Sequence, residues 1–291
     1  MMLRRRQGRI KALPLNSLIP NILTVLALCA GLTAIRFALQ DRWELAVAAV
    51  VIAGVFDGLD GRMARLLKGA TKFGAEFDSL SDFCAFGVAP AILIYQWSAH
   101  DIGGVAWIAA LGYATCCALR LARFNTMADD DSRRPAWAND YFVGVAAPAG
   151  AGFALLPPIL SFLLETDAIL RNPALNTVWL ICVGVLMVSR VPTFSLKKLR
   201  VKREHVLPTL VLVGLFAALL VSYPWFVLAA AGLGYLAAIP LSVMSQRKLV
   251  AKLDAQAAAG APPPAANVER LGAHRQDPGG RPDLGHGSPE N

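Results

Sequence analysis

Charge is scarce in this chain. Asp, Glu, Lys and Arg supply 16% of its 291 residues, apolar types supply 56%, and the mean hydropathy is +0.50. A soluble domain carries about a quarter charged residues, so the soluble globular class is excluded and the chain reads as a membrane protein. Histidine is also sparse, at four residues, and none stands near a cysteine. The five cysteines, Cys29, Cys84, Cys116, Cys117 and Cys182, sit inside apolar runs without C-x-x-C spacing. A zinc site or a disulfide framework needs other spacings, so they read as reduced packing residues. Leu26 to Cys29 has the outline of a lipoprotein cleavage box, but Leu28 is too large for the position before the cysteine. No internal repeat is present.

The formal charge of +8 raises the possibility of a nucleic-acid partner. The basic residues, however, lie in short runs between apolar segments, where they report membrane orientation, so no nucleic acid is expected. Residues 1–17 form a basic N-terminus with Arg4, Arg5, Arg6, Arg9 and Lys11. Apolar runs follow at about Leu18 to Leu39, Trp43 to Phe56, Phe77 to Trp97, Val105 to Leu121, Tyr141 to Leu164, Leu175 to Phe194, Leu207 to Tyr223 and Trp225 to Met244. The expected fold is therefore all-α and polytopic, about eight spans within residues 18–244, with the first span retained rather than cleaved as a signal peptide. Arg62 to Lys72, Arg123 to Arg134, Lys197 to Arg203 and Arg247 to Lys252 are basic, and the alternate loops hold only Arg42 and Arg171 or nothing. By the positive-inside rule both termini are cytoplasmic, in the inner (plasma) membrane. Residues 245–291, rich in Ala, Pro and Gly, read as a disordered cytoplasmic tail.

The most informative stretch runs from Asp57 to Asp82, DGLDGRMARLLKGATKFGAEFDSLSD. An ionisable side chain near membrane depth costs roughly 2.5 to 3.5 kcal/mol on insertion scales, so four aspartates at one boundary call for a compensating cation or substrate. Asp57, Asp60/Gly61 and Ala64 recur at helical intervals, as do Gly74, Asp78 and Asp82, so each set forms a stripe on one helix face. The basic turn between the stripes allows them to face each other. Carboxylates without His or Cys favour Mg²⁺ or Mn²⁺, and four of them can hold two ions, the arrangement that clamps attacking and leaving oxygens in phosphoryl transfer. Taken singly, each acid is more simply a partner for Arg62, Arg65, Lys68 or Lys72. Jointly, D-x-x-D-G-x-x-A-R-x8-G-x3-D-x3-D should arise by chance roughly once in 10⁹ or more starting points, which favours the site.

At these eight positions the chain resembles the CDP-alcohol phosphatidyltransferase family, matching every fixed residue of its signature: Asp57, Asp60, Gly61, Ala64, Arg65, Gly74, Asp78 and Asp82. The resemblance implies an integral membrane enzyme that moves a phosphatidyl group from a CDP-activated lipid to an alcohol and releases CMP. It implies two metal ions on Asp57, Asp60, Asp78 and Asp82, with Asp82 also the catalytic base. Gly61, Ala64, Arg65 and Gly74 would receive the CDP-lipid, as would Asn21 and Thr24 of the P-N-x-L-T start at Pro20 to Thr24, whose plainer reading is an ordinary helix N-terminus. Related enzymes are commonly homodimers.

Two further segments are similar to the phosphatidylserine synthase branch: Arg120 to Asn125, R-x-x-R-F-N, and Val191 to Ser195, V-P-T-F-S. Tyr141 to Gly144 with Pro148 is a looser match. The expected reaction is transfer from CDP-diacylglycerol to L-serine, with Arg120, Arg123 and Asn125 binding the amino acid; snorkelling cations are the plainer reading of the arginines. Glycerol 3-phosphate or inositol as acceptor, and a cation-coupled membrane transporter, stand as alternatives. A transporter should place acids near mid-span on several helices, whereas here they gather at one boundary.

Overall fold

The computed structural model describes residues 15–67, 69, 71–129, 141–189, 192–194, 211, 214–215 and 218–258. Residues 1–14, residues 130–134 of the Arg123 to Arg134 loop, the Lys197 to Arg203 run, residues 207–210, 212–213 and 216–217 of the expected seventh span and the tail beyond Ala258 lie outside these.

Helix α1 (Leu15–Ala38) and helix α2 (Trp43–Leu66) form an antiparallel pair, turned at Asp41, which adopts φ +58°. Helix α3 (Lys72–Asp82) leads without a break through a π-helical turn (Phe83–Val88), helix α4 (Ala89–Ile94) and a second π-helical turn (Tyr95–Ala99). Helix α5 (Gly104–Asp129) returns across the bundle against helix α8 (Pro173–Val188). Between them lie strand β1 (Tyr141–Val143) and helices α6 (Ala147–Ala154) and α7 (Leu156–Leu164); strand β2 (Pro192–Phe194) and helix α9 (Pro224–Ala258) follow α8. Ala53, Phe86, Leu93, Tyr113, Phe153 and Leu180 are buried at the centre. Outside, Ile22, Leu32, Val55, Ile108 and Val185 are exposed, while Thr24, Asp60, Ser81 and Asn176 are buried. Apolar side chains outside and polar ones inside suit a lipid solvent.

Close backbone approach holds the bundle together. A Cβ on Gly31 would lie 2.7 Å from Ala85 Cα, so α1 seats directly on the first π-helical turn. A π turn leaves carbonyls without their usual helical donors, and Tyr113 Oη donates to the Phe86 carbonyl at 2.9 Å.

The loops sort to two ends. Arg171, between α7 and α8, donates through Nε to the Trp97 carbonyl at 2.8 Å and lies over the rings of Trp43 and Trp97. The sparsely basic loops therefore share one end. At the other, Asn125 of α5 meets Ser79 of α3, and Arg123 approaches Val188 at the end of α8.

Two expectations need adjustment, the single span from Tyr141 to Leu164 and the start of the tail. Among the described residues, three helical stretches are long and apolar enough to cross a membrane, Leu18–Ala38, Lys72–Ile102 and Gly104–Thr126, or four if α6 and α7 count as one bent span. This makes the chain an integral membrane protein, with three or four such spans among the described residues. Glu44, Asp57, Asp60, Arg62 and Arg65 interrupt the apolar stretch of α2, and α8 has only 16 residues. The expected span Tyr141 to Leu164 is instead a strand and two helices bent by 45°. Pro157 and Pro158 remove backbone donors at the bend and crowd the preceding turn.

The helical expectation holds, with one small ribbon added to it. β1 and β2 pair antiparallel, Tyr141 with Phe194, Phe142 with Thr193 and Val143 with Pro192, bringing together two of the segments singled out from sequence. Gly144 closes the ribbon at φ +79°, where a Cβ would stand 2.8 Å from both the Met187 and Ser189 carbonyl oxygens. Finally, α9 continues to Ala258, so the first residues of the expected tail from 245 onward are helical.

Candidate active site

Helix α2 stays helical through its polar end, and the i, i+3 spacing puts Asp57 and Asp60 on one face. Thr71 then caps α3, its hydroxyl accepting from Gly74 N at 3.0 Å. That cap starts the helix in the register that turns Asp78 and Asp82 toward α2. One carboxylate oxygen each from Asp57, Asp60 and Asp78 lie within 4.8 Å of one another. Asp82 stands beside Asp57, the two carboxyl groups within hydrogen-bonding reach.

Repulsion among ionised carboxylates at such separation is on the order of 3 kcal/mol per pair at an effective dielectric of ~20. The protein supplies little to offset it. Asp60, 4% exposed, accepts from Thr24 Oγ1 at 2.9 Å, but Asp78 Oδ1 is buried with no hydrogen-bond partner among the described residues. Hard oxygen donors converging with a partnerless buried oxygen fit a divalent cation of the Mg²⁺ or Mn²⁺ type.

A cavity of about 160 Å³ opens against this cluster, lined by Asn21, Thr24, Gly61, Ala64 and Gly74 together with Asp60 and Asp78. Five of the six residues expected to meet the CDP-lipid are thus brought together. The sixth, Arg65, is not among the lining residues; its Nε donates to the Gly61 carbonyl at 2.9 Å from an exposed position. At Gly74 a Cβ would lie 3.0 Å from Asn21 Oδ1 and 3.1 Å from Thr71 Oγ1, so a side chain there would press on the cavity wall and on the cap. At Gly61 a Cβ would meet nothing within 4 Å, leaving the backbone open to a ligand.

The three residues expected to bind serine are distributed differently. Arg120 is half-buried within electrostatic reach of Asp82, and its Nε has no partner among the described residues. Among the described residues, Arg123 reaches the Val188 carbonyl at 3.5 Å. Asn125 Nδ2 donates to Ser79 Oγ at 2.9 Å. Sequence reasoning missed Thr71, Ser79 and Ser81. The spacing of Thr71 from Gly74 is a readable cap signal, but nothing local announces that Ser81 Oγ donates to the Thr24 carbonyl at 3.2 Å.

An acidic, oxygen-lined cluster and an adjoining cavity at one end of a membrane helix bundle define the class. The family model for CDP-alcohol phosphatidyltransferase matches residues 17–189, and that for CDP-alcohol phosphatidyltransferase 2 matches residues 204–240. The chain belongs to the CDP-alcohol phosphatidyltransferase family.

Its relatives include a Mycobacterium leprae protein named CDP-diacylglycerol–serine O-phosphatidyltransferase, 37% identical over 243 residues, covering 82% of this chain and 78% of the relative. Proteins of the same name from Mycobacterium tuberculosis (36% identical, 80% of each chain) and Bacillus subtilis (32% identical, 62% of this chain and 92% of the relative) are similar too.

Proposed function

We propose that this protein transfers the phosphatidyl group of CDP-diacylglycerol to the hydroxyl of L-serine, giving phosphatidylserine and CMP. The observation that carries the reading is that signature residues from two helices converge into one acidic cluster beside one cavity. The shared name of the relatives supports serine as the acceptor.

Asp57, Asp60, Asp78 and Asp82 would hold two divalent ions, Mg²⁺ or Mn²⁺. Such ions, when bound, neutralise charge on the diphosphate and on the departing CMP. Asn21, Thr24, Gly61, Ala64 and Gly74 shape the cavity for the cytidine diphosphate, and Arg65, held to the Gly61 carbonyl, meets phosphate. Asp82 takes the proton as the serine oxygen bonds to phosphorus and the bond from phosphorus to the CMP oxygen breaks. Arg120, within electrostatic reach of Asp82 and with a buried Nε that has no partner among the described residues, receives the serine carboxylate.

The basic loops support an eight-span enzyme of the inner membrane, with both termini and the site cytoplasmic, and a tail beyond Ala258 that follows the membrane domain. The gathering of Arg171, Trp43 and Trp97 at the opposite end supports the same alternation. Assembly is expected to be a homodimer.

The test is to incubate purified protein with CDP-diacylglycerol and serine, glycerol 3-phosphate or inositol, following CMP release and lipid product. Phosphatidylserine should form selectively. Preferential use of another alcohol would replace the acceptor, and absence of CMP with every alcohol would favour a cation-coupled transporter.

A further inference from the structure

We infer that Asn125 is a positioning residue, acting through Ser79 to hold α3 in the rotation that presents Asp78 to Asp57 and Asp60. The inference rests on the proposed metal role of those carboxylates. Asn125 lies on α5 and Ser79 on α3, 46 positions away, and both are half-buried. Ser79 Oγ stands 3.1 Å from the Ala75 carbonyl, 2.9 Å from Asn125 Nδ2 and 3.3 Å from Asn125 Oδ1. A hydroxyl has one proton, so it donates to the nearer Ala75 carbonyl and accepts from the Asn125 amide. One of the two amide donors of Asn125 is thereby committed within the protein.

The consequence reaches the acids through helix geometry. Successive helical residues point about 100° apart, so when Ser79 faces α5, Asp78 is turned away toward α2. Asp78 Oδ1 has no hydrogen-bond partner of its own among the described residues, so nothing bonded to that oxygen fixes its direction. The neighbouring tie supplies that restraint. It also links the R-x-x-R-F-N segment to the metal helix: Arg120 and Asn125 share α5, one within electrostatic reach of Asp82 and the other anchoring the turn that carries Asp78.

A direct serine ligand and a positioning residue differ in what their loss changes. The experiment compares wild type with Asn125→Ala, Ser79→Ala, the double variant and Ser79→Thr, all purified as full-length protein. Mn²⁺ binding is measured by electron paramagnetic resonance without substrate, and kcat and the serine KM are measured separately. Asn125→Ala and Ser79→Ala should each weaken Mn²⁺ binding about tenfold and lower kcat, with the serine KM moving less than about twofold. The double variant should be no worse than either single one, because both remove the same bond, and Ser79→Thr, which keeps a hydroxyl, should resemble wild type. A raised serine KM in Asn125→Ala with unchanged Mn²⁺ binding would make Asn125 a serine ligand and overturn the inference; additive losses would do the same. Wild-type protein that binds no Mn²⁺ would instead remove the metal reading, whereas normal Mn²⁺ binding and kcat in both single variants would remove only the positioning role.

Discussion

The hydroxyl of Thr24 stands 2.9 Å from Asp60 Oδ2, joining α1 to the acid cluster across 36 positions of sequence. The Thr24 carbonyl accepts from Ser81 Oγ at 3.2 Å, so one residue of α1 holds both acid-bearing helices. Outer partners of metal ligands set the direction of the ligand oxygens, and their loss costs roughly 10- to 100-fold in metal affinity or activity. Thr24→Val keeps the shape and removes the donor. It should lower the transfer rate by an amount in that range and raise the Mg²⁺ concentration needed, while Thr24→Ser, which keeps the hydroxyl, stays near wild type. Rates measured across a Mg²⁺ titration check this.

The acids themselves should separate into two kinds. Asp57→Asn, Asp60→Asn and Asp78→Asn each remove an oxygen from the group within 4.8 Å, so each should depress both Mn²⁺ binding and transfer, by about 100-fold or more. Asp82 lies outside that group. Asp82→Asn should abolish turnover while much of the Mn²⁺ binding remains, since an amide cannot take the serine proton. Chelation of wild-type enzyme should stop transfer, and added Mg²⁺ or Mn²⁺ should restore it. A variant of Asp57, Asp60 or Asp78 with wild-type rate at low Mg²⁺ would remove that residue from the ligand set.

Arg120 and Arg123 make unequal predictions despite sharing one motif. A buried Nε without a partner among the described residues is a donor in need of an acceptor, and lysine puts a methylene carbon, not a donor, at that place. Arg120→Lys should raise the serine KM about tenfold and leave the CDP-diacylglycerol KM nearly unchanged. Arg123→Lys should do less, because its contact is a 3.5 Å approach to a helix-end carbonyl. Steady-state kinetics in each substrate distinguish the two.

Topology is open to a chemical test in a variant cleared of native cysteines. Asp101 and Thr166 are exposed at the end that holds Arg171 and Trp97, and Leu66 is 76% exposed at the opposite end. Cysteines placed at Asp101 and Thr166 should react with an impermeant thiol reagent on intact cells, and one at Leu66 only after permeabilisation. Labelling of the Leu66 variant on intact cells would reverse the assigned orientation.

By itself the sequence determined the membrane class, the four acids and the alternation of loop ends. Each of those signals is local: helical spacing acts over three or four residues, and charge runs mark boundaries wherever the chain later packs. Three of the expected cavity residues were legible for the same reason, since Gly61, Ala64 and Gly74 share stripes with the acids, whereas Asn21 and Thr24 came only with the family resemblance. The prolines at 157 and 158 carried a local signal as well, but an unbroken apolar run hid the bend they cause. Only the tertiary structure decided that Thr24 would bond Asp60, that Asn125 would bond Ser79 rather than face open space, and that Tyr141–Val143 would pair with Pro192–Phe194. Those contacts join residues tens of positions apart. They exist because buried hydroxyls, amides and strand edges must find partners in whatever bundle the close-packed helices form.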